Sequence, residues 1–342
     1  MSSMSFKPKQ ATKKLLGALS PRAQDVLTKR YGLDTEAHSH TLEAIGQIYG
    51  ITRERVRQIE NHALHSIQKS DAYKEFKNLF EELETEVARL GHIIAEHELL
   101  EALGKDSSSK NHVFFLLTLG TPFTRSKEDD DFHHRWHTEP KVADMVEKAL
   151  ARMHESLSED DLLSEEDMMK RFVENLDEAV ARENDEATLY RWLGLSKRIA
   201  KNPLGEWGVA SSPNVRAKGI RDFAYLAVKR HGSPMHFREV AKSIEELFAR
   251  QAHVATCHNE LIKDSRFVLV GRGMYGLKDW GHTGGVVRDV ITEVLKEANR
   301  PLGKDEIIKR VLAKRIVKPN TVLVNLQNTK HFRKVAGDYT LI

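Results

Sequence analysis

Apolar residues in the first seventy positions recur at helical spacing in three short segments. The first segment opens with Ser20 as N-cap and Pro21 at the first helical position, and the next two open at Thr41 and Thr52. Gly50 separates the second segment from the third. The residues expected to face the core are Val26, Leu27 and Tyr31, then Leu42, Ala44, Ile45 and Ile48, then Val56, Ile59, Ala63, Leu64 and Ile67. Three short helices in this order predict a helix-turn-helix.

The C-terminal half repeats one pattern of hydrophobic positions. The first copy is AYLAVKRHGSPMHFREVAKSIEELF, followed by HNELIKDSRFVLVGRGMYGLKDW. The second is DVITEVLKEANRPLGKDEIIKRVLAKR, followed by VLVNLQNTKHFRKVAGDYTLI. Each copy begins with the helical period and ends with two segments that alternate with period two around a glycine-containing turn. This order predicts a winged helix in each copy.

Two weaker copies of the pattern can be placed in the middle of the chain. They begin at ETEVARLGHIIAEHELLEALG and at MVEKALARMHESLSEDDLLSEEDMMKRFVENL. The predicted fold is therefore mainly α, with an N-terminal helix-turn-helix followed by tandem winged-helix (α+β) modules. The predicted domains are 12–70 for the helix-turn-helix, 76–138 and 139–212 for two acidic winged-helix-like repeats, 216–281 for a third winged helix and 284–342 for a C-terminal one.

The third N-terminal helix carries an unusual density of polar groups between its apolar positions. These are Arg53, Glu54, Arg55, Arg57, Gln58, Asn61 and His62. Arginine can chelate guanine O6 and N7, glutamine can pair with adenine N6 and N7, and glutamate can accept from cytosine N4. The helix therefore has the chemistry to read base edges, although such charges could also serve only to solubilise a bundle helix.

The segment TLEAIGQIYGITRERVRQIENHALHSIQK closely resembles region 4 of the primary, sigma-70-type sigma factors of bacterial RNA polymerase. The resemblance covers about residues 12 to 70. It implies that Arg53, Glu54, Arg57 and Gln58 touch a promoter −35 element, with Arg55 nearer the DNA backbone or the polymerase flap. We include Thr41 and Thr52, which open the two helices, among the candidate DNA contacts.

The chain departs from the family before this segment. A full sigma factor carries there a domain that grips the polymerase clamp and an aromatic-bearing helix that melts promoter DNA. Only nineteen residues precede Ser20, so we expect no promoter melting and no role as a stand-alone initiation factor.

The third winged helix resembles the HARE helix-turn-helix family. The residues that carry the resemblance are GSPMHFREVAKSI, the block HNELIKDSRFVLVGRGMYGLKDW and its closing Trp280. In delta-type polymerase subunits this fold contacts polymerase, and elsewhere it is proposed to recognise DNA. The resemblance therefore implies the fold more firmly than the function.

Charge is distributed unevenly along the chain, although the net charge is only +3. Residues 1–70 have 11 basic and 6 acidic residues, 71–138 have 8 and 14, 139–186 have 6 and 16, and 187–342 have 28 and 14. DNA phosphates attract the two basic ends and repel the acidic middle, unless these runs are only solvated faces. The C-terminal residues expected to add phosphate affinity or a second site are Arg238, Arg266, Arg272, Lys314, Arg315 and Lys318.

Several other classes of site are disfavoured by the residues present. Cys257 is the only cysteine, which excludes an internal disulfide or a multi-cysteine zinc site. The cluster DFHHRWH lacks a complete ligand set at zinc spacing, and the glycines of GRG fit the turn of a hairpin better than a phosphate loop. SEDDLLSEED fits a solvated helix start. We therefore expect no enzyme activity, no metal and no cofactor.

The sequence favours a DNA-binding transcription protein whose partners are promoter-like double-stranded DNA and RNA polymerase core. Eighteen consecutive apolar residues do not occur and no secretory signal is evident, so we expect no membrane partner and a cytoplasmic, nucleoid-associated location. One alternative is a delta-like accessory subunit of polymerase that acts mainly by protein contacts. Another is the recognition component of a restriction system, which would need a catalytic partner.

Overall fold

The structure is a computed structural model that describes residues 7–281, 285–335 and 337–342. Across the described residues the chain forms eighteen α helices and ten short strands. The predicted fold class is confirmed, because a helix-turn-helix is followed by winged-helix modules with small sheets. The chain divides into two compact units. One runs to Ala200 and includes Trp207–Ala210, and the other comprises Lys201–Glu206 and Ser211–Ile342.

Five helices precede the first winged helix. They are α1 (Pro8–Leu16), α2 (Pro21–Tyr31), α3 (Leu42–Tyr49), α4 (Arg53–Gln68) and α5 (Asp71–Glu75). The second, third and fourth are the predicted helix-turn-helix. Thr41 and Thr52 cap α3 and α4 as expected, because their hydroxyls accept hydrogen bonds from Ala44 N and Arg55 N at 3.1 and 3.2 Å.

The core of the helix-turn-helix is small and fully buried at its centre. Val26, Ile45 and Val56, one from each helix, have no solvent exposure. Ile48 was expected in this core, but it is 54% exposed. The reason is the rotation of α3, whose inward stripe is Leu42, Ile45, Gly46 and Tyr49 at the i, i+3, i+4, i+7 spacing. Ile48 lies off that stripe.

The first two winged-helix modules lie in the first unit, except that Lys201–Glu206 of the second hairpin belong to the second unit. The first is built from α6 (Lys77–Arg89), β1 (Ile93–Ala95), α7 (Glu96–Leu103), α8 (Ser107–Leu119), β2 (Thr124–Ser126) and β3 (Arg135–His137). The second is built from α9 (Pro140–Glu155), α10 (Glu165–Asn175), α11 (Glu178–Glu183), α12 (Glu186–Leu193), β4 (Ile199–Lys201) and β5 (Trp207–Val209). The antiparallel sheet of the first has the order β1-β3-β2, and in the second Leu163 bridges to Trp207.

The last two modules lie in the second unit. The third is built from α13 (Ile220–His231), β6 (Met235–His236), α14 (Phe237–Phe248), α15 (Val254–Lys263), β7 (Phe267–Gly271) and β8 (Met274–Leu277). The fourth is built from α16 (Val287–Ala298), α17 (Lys304–Lys314), α18 (Pro319–Leu326), β9 (Phe332–Val335) and β10 (Asp338–Leu341). Residue 284, the predicted start of this module, lies outside the described residues.

All four modules place one helix directly before the hairpin. We call α8, α12, α15 and α18 the pre-hairpin helices. In the third module β6 completes the sheet in the order β6-β8-β7, and in the fourth a bridge from Leu302 to Tyr339 takes the same place. A helix followed directly by a hairpin is the order of elements in a winged helix.

The helix-turn-helix and the first winged helix share one hydrophobic core. Leu15, Leu27 and Ile67 belong to the same buried cluster as Leu116 and Trp136. The helix-turn-helix therefore packs against the first winged helix on one side, while the polar residues of α4 face solvent on another. Within the described part of the chain, we find no helix long and apolar enough to cross a membrane.

Candidate nucleic-acid interface

The first two turns of α4 present the predicted base-reading residues on one exposed surface. Arg53, Glu54, Arg55, Arg57 and Gln58 are all exposed, while Val56 between them is buried. The exposed residues begin directly after the Thr52 cap. The structure therefore brings together all five candidates predicted on this helix.

Two pairs of side chains on this surface are joined by hydrogen bonds. Arg57 donates from Nε and Nη2 to the two carboxylate oxygens of Glu54, at 2.8 and 2.6 Å. These hydrogen bonds lower the pKa of Glu54, so its carboxylate stays ionised. Arg55 donates to Gln58 Oε1 at 3.1 Å. Each guanidinium group thus contacts a neighbouring side chain on its own helix.

On its opposite side, α4 contacts α2 through the buried carboxylate of Glu60. Glu60 is only 8% exposed, and its Oε1 accepts a hydrogen bond from the Tyr31 hydroxyl at 2.9 Å. Arg30 lies 3.4 Å from the same oxygen. Burial raises the pKa of Tyr31, which keeps the hydroxyl protonated as a donor. Sequence reasoning missed Glu60, because a residue 29 positions from its partner gives no local signal.

The helix α3 is held to α2 by a second polar group. Asp25 accepts from the Tyr49 hydroxyl and from Lys29 Nζ, the latter at 2.6 Å. The Arg22 guanidinium lies over the Tyr49 ring, 5.4 Å from its centroid. These contacts hold the C-terminal end of α3 against α2.

A groove of about 700 Å³ runs beside α4 on the α2 side. It is lined by Ser20, Arg22, Ala23, Ile51, Arg55, Gln58, Ile59 and His62. Its wall is part cationic and part apolar. Such a lining suits a phosphate backbone or an amphipathic protein segment, and it contains Arg55, which was expected at the backbone or the polymerase flap.

The predicted C-terminal residues fall into two groups. Arg238, Arg272 and Lys318 are exposed, at the start of α14, at the turn between β7 and β8, and at the N-cap of α18. The turn at Arg272 is the predicted wing, with Gly273 at φ +70°. The left-handed backbone favours glycine, and an added Cβ would lie 2.7 Å from His236 Nε2, so the imidazole ring would have to shift.

Arg266 is engaged inside the third module. Its guanidinium donates to Asp264 at 2.6 Å, to Asn214 at 2.8 Å and to Asp222 at 3.2 Å. It also lies over the ring of Tyr225, 4.7 Å from the centroid. Its phosphate contact stays a prediction, and in the structure its guanidinium is bound by protein groups.

Two further candidates, Lys314 and Arg315, are also engaged within the fold. Lys314 pairs with Glu297 at 2.6 Å and with Glu293 at 3.2 Å. Arg315 is 8% exposed and donates to the carbonyl oxygens of Leu269 and Gly285. Phosphate contact by either residue would require these bonds to break, so we leave both out of the DNA surface proposed below.

The residues considered for other chemistry are placed in structural roles. His134 accepts from Glu128 N at 2.8 Å, and His137 is buried in β3. No group of three or more His, Cys, Asp or Glu that could hold a metal ion occurs among the described residues. Cys257 is buried on the inner face of α15, and burial raises its pKa to about 11. It is therefore a small wall residue with an unreactive thiol.

Known proteins resemble the N-terminal part of the chain. Residues 15–69 match the family model of Sigma-70, region 4. RNA polymerase sigma factor SigA of Nostoc sp. is 56% identical over 55 residues, which are 16% of this chain and 14% of that protein. SigA of Listeria monocytogenes is 38% identical over 73 residues, or 21% of this chain and 19% of that protein. Principal sigma factor HrdD of Streptomyces coelicolor is 46% identical over 55 residues, 16% of each chain.

The chain thus spans less than a fifth of the length of these curated relatives. The family match contains α2, α3 and α4 with the exposed surface described above, and it ends at residue 69, before the first winged helix. The predicted resemblance to sigma region 4 is confirmed for this segment. The HARE resemblance of the third module stays a prediction.

Proposed function

We propose that this protein binds duplex DNA as a transcription factor, with α4 in the major groove of a promoter −35-like element. The observation that carries the proposal is the exposed set of forked donors and acceptors on the first two turns of α4, within a segment that matches sigma region 4. A helix-turn-helix places these turns against base edges. The proposed site of action is the nucleoid in the cytoplasm.

Each residue of the surface has a distinct role in this proposal. Arg57 chelates a guanine, and the Glu54 carboxylate accepts from a cytosine N4 amine. Gln58 pairs with an adenine, and Arg53 at the start of the helix reaches a base or a neighbouring phosphate. Thr41 and Thr52 lie at helix N-termini, where backbone amides attract phosphate oxygens.

A second candidate function is that of an RNA polymerase accessory protein, and the groove beside α4 favours it. Ile51 and Ile59 give this groove an apolar wall next to Arg22 and Arg55, which suits an amphipathic segment of a protein partner. In this proposal the groove binds RNA polymerase core, DNA contact is secondary, and the HARE-like third module acts in the manner of a delta-type subunit.

The substitution Arg57→Ala tests the first proposal. We expect it to weaken binding to a −35-like duplex by about 1 to 3 kcal/mol and to reduce discrimination against a scrambled duplex, because one bidentate base contact is lost. Fluorescence anisotropy with both duplexes at fixed salt measures this.

A matched control is available on α6. Arg89 also pairs with a glutamate three residues before it, at 2.9 Å from Glu86, and its side chain is similarly exposed. Arg89→Ala should leave DNA binding unchanged. If Arg57→Ala binds the two duplexes with the wild-type ratio of affinities, α4 does not read the sequence.

A further inference from the structure

The pre-hairpin helices of the first two modules are used for packing within the first unit. In α8, Asn111 Nδ2 donates to the carbonyl oxygens of Gly32 and Ala37 in the helix-turn-helix, at 3.0 and 2.9 Å. In α12, Trp192 is fully buried and its Nε1 donates to Gly91 O at 3.1 Å. Neither helix presents a free face of the kind that enters a DNA groove.

The pre-hairpin helices of the last two modules are exposed, but their surfaces differ in chemistry. The exposed residues of α15 are mostly small or apolar, with one lysine: Val254, Ala255, Thr256, Asn259, Ile262 and Lys263. The exposed surface of α18 and the residues just after it is rich in amides: Asn320, Thr321, Val324, Gln327 and Asn328. Their spacing of i, i+1, i+4, i+7 and i+8 places them along one side, opposite the buried Val322 and Leu326.

Positive charge surrounds the amide surface of α18. Residues 316–342 contain four Lys and Arg residues and one acidic residue, Asp338. Lys318 lies at the N-cap of α18, Lys330 follows the helix, and Arg333 and Lys334 are exposed on β9. Basic side chains therefore flank the helix at both ends and extend onto the wing, where phosphates on either side of a groove would lie.

The wing of the third module contacts the segment that leads into α18. Ile316 N donates to Val270 O at 2.8 Å, which fastens the segment before α18 to the end of β7. An added Cβ at Gly271 would lie 3.0 Å from Ile316 O, so the two backbones are in direct contact. Arg272, which is exposed at the turn after β7, therefore lies near the segment that leads into α18.

We infer that α18 and the β9–β10 wing form a second duplex-DNA site, which reads A·T base pairs. Asn320 and Gln327 carry the amide groups that pair with adenine N6 and N7, and the exposed Val324 matches the thymine methyl group. Lys318, Lys330 and Arg333 contact the flanking phosphates. This site is independent of α4, so it stands whether or not α4 reads a promoter.

Salt dependence tests the phosphate contacts of this site. The full chain with Lys330→Ala and Arg333→Ala is compared with Lys304→Ala and Lys309→Ala, which removes two exposed lysines from α17. Binding to a 20-base-pair duplex is followed from low to high salt by anisotropy. The slope of log K against log salt should fall by about 2 for the first pair and stay at the wild-type value for the control.

Base reading is tested with A·T-rich and G·C-rich duplexes of equal length. We expect Asn320→Ala with Gln327→Ala to lower affinity for the A·T-rich duplex by roughly 5- to 150-fold for each lost base contact, with little change for the G·C-rich duplex. The matched control on α15 is Thr256→Ala with Asn259→Ala, which should change neither affinity. Thermal unfolding of each variant checks that the fold is retained.

Both experiments are repeated in the Arg57→Ala background. If α4 does not read DNA, the α18 variants should reduce DNA affinity by the same factor in both backgrounds. Failure of the α4 proposal can then be distinguished from failure of the α18 proposal. Equal salt slopes for the surface and control variants would overturn the site. Equal losses on the two duplexes would overturn its base reading.

Discussion

The pairing of Arg57 with Glu54 shows how single residues can prepare a binding surface. Both side chains are exposed, so the pair contributes little to stability. Its effect is geometric, because it places the Arg57 guanidinium close to the start of α4. The pair uses Nε and one hydrogen of Nη2, so the Nη1 group and the second Nη2 hydrogen of Arg57 remain available for a base contact.

Tyr31 and Glu60 have the opposite role, since they are buried and hold α2 against α4. The change Tyr31→Phe removes the hydroxyl donor and leaves a buried carboxylate with one partner fewer. We expect a loss of about 1 to 3 kcal/mol in the free energy of unfolding, measured by chemical denaturation.

The double variant Tyr31→Phe with Glu60→Met provides the control. Removing both polar groups leaves no buried carboxylate, so part of the lost stability should return. A Tyr31→Phe protein as stable as wild type would show that the hydrogen bond does not fasten the two helices.

At the scale of elements, two glycines that end helices have the same backbone but different surroundings. Gly32 follows α2 at φ +61° and Gly50 follows α3 at φ +62°. An added Cβ at Gly32 would lie 2.7 Å from Asn111 Nδ2 and 2.9 Å from His38 C, whereas at Gly50 no described atom lies within 4 Å.

This difference predicts unequal effects of alanine. Gly50→Ala should cost about 1 kcal/mol for the left-handed backbone alone. Gly32→Ala should cost more, because the methyl group also displaces Asn111 from the contact between α8 and the helix-turn-helix. The two midpoints of thermal unfolding give the comparison, and equal destabilisation would contradict the packing described at Gly32.

The elements that the sequence predicts are those with a clear hydrophobic periodicity or with clear residues that begin or end a helix. The helices α2, α3 and α4 were expected from Pro21, Thr41, Gly50 and Thr52, and the wing at Arg272 was expected from its glycines. Ile48 was misplaced because an eight-residue helix has two overlapping apolar stripes, and only tertiary packing decides which one is buried.

Sequence could predict the part of the candidate site that lies within one helix. It could not predict the parts that depend on contacts between distant segments. The α4 surface lies within one helix, so spacing alone places its residues together. Arg266 and Arg315 look like other basic residues in the sequence, yet each satisfies oxygen atoms from distant segments. The α18 surface was represented only by Lys318, because its amides become visible as a set once the exposed side of the helix is known.

At the scale of the whole molecule, buried histidines make the first unit sensitive to acid. His112 is 2% exposed on α8, with Lys9 and Asp106 nearby, and burial lowers its pKa. Burial also lowers the pKa values of His133 and His137. The folded state therefore takes up protons less readily than the unfolded chain, whose histidines titrate near about 6.5.

The sign of the pH dependence follows from this difference. Stability is fully present above about pH 6.5 and falls as the pH drops below that value, because protonation favours the unfolded chain. Unfolding of the full chain by urea at pH 7.5 and pH 5.5 should show the loss. The His112→Leu protein should lose less stability over the same interval, and an unchanged pH dependence would show that His112 is not one of the responsible groups.

Taken together, the modules give the molecule two exposed polar helices, α4 near one end of the chain and α18 near the other. Acidic residues are concentrated between them, in residues 71–186. The acidic segment repels phosphates, which would confine DNA to the two basic ends.

The most direct test of the central claim is selection of bound sequences from a random duplex pool, using the purified full chain with and without RNA polymerase core. If α4 reads DNA, the chain alone should enrich a −35-like element, and Arg57→Ala should reduce that enrichment. Enrichment of such an element only in the presence of polymerase would favour the accessory-protein function. If the −35-like element is enriched in neither condition, promoter recognition by α4 is contradicted.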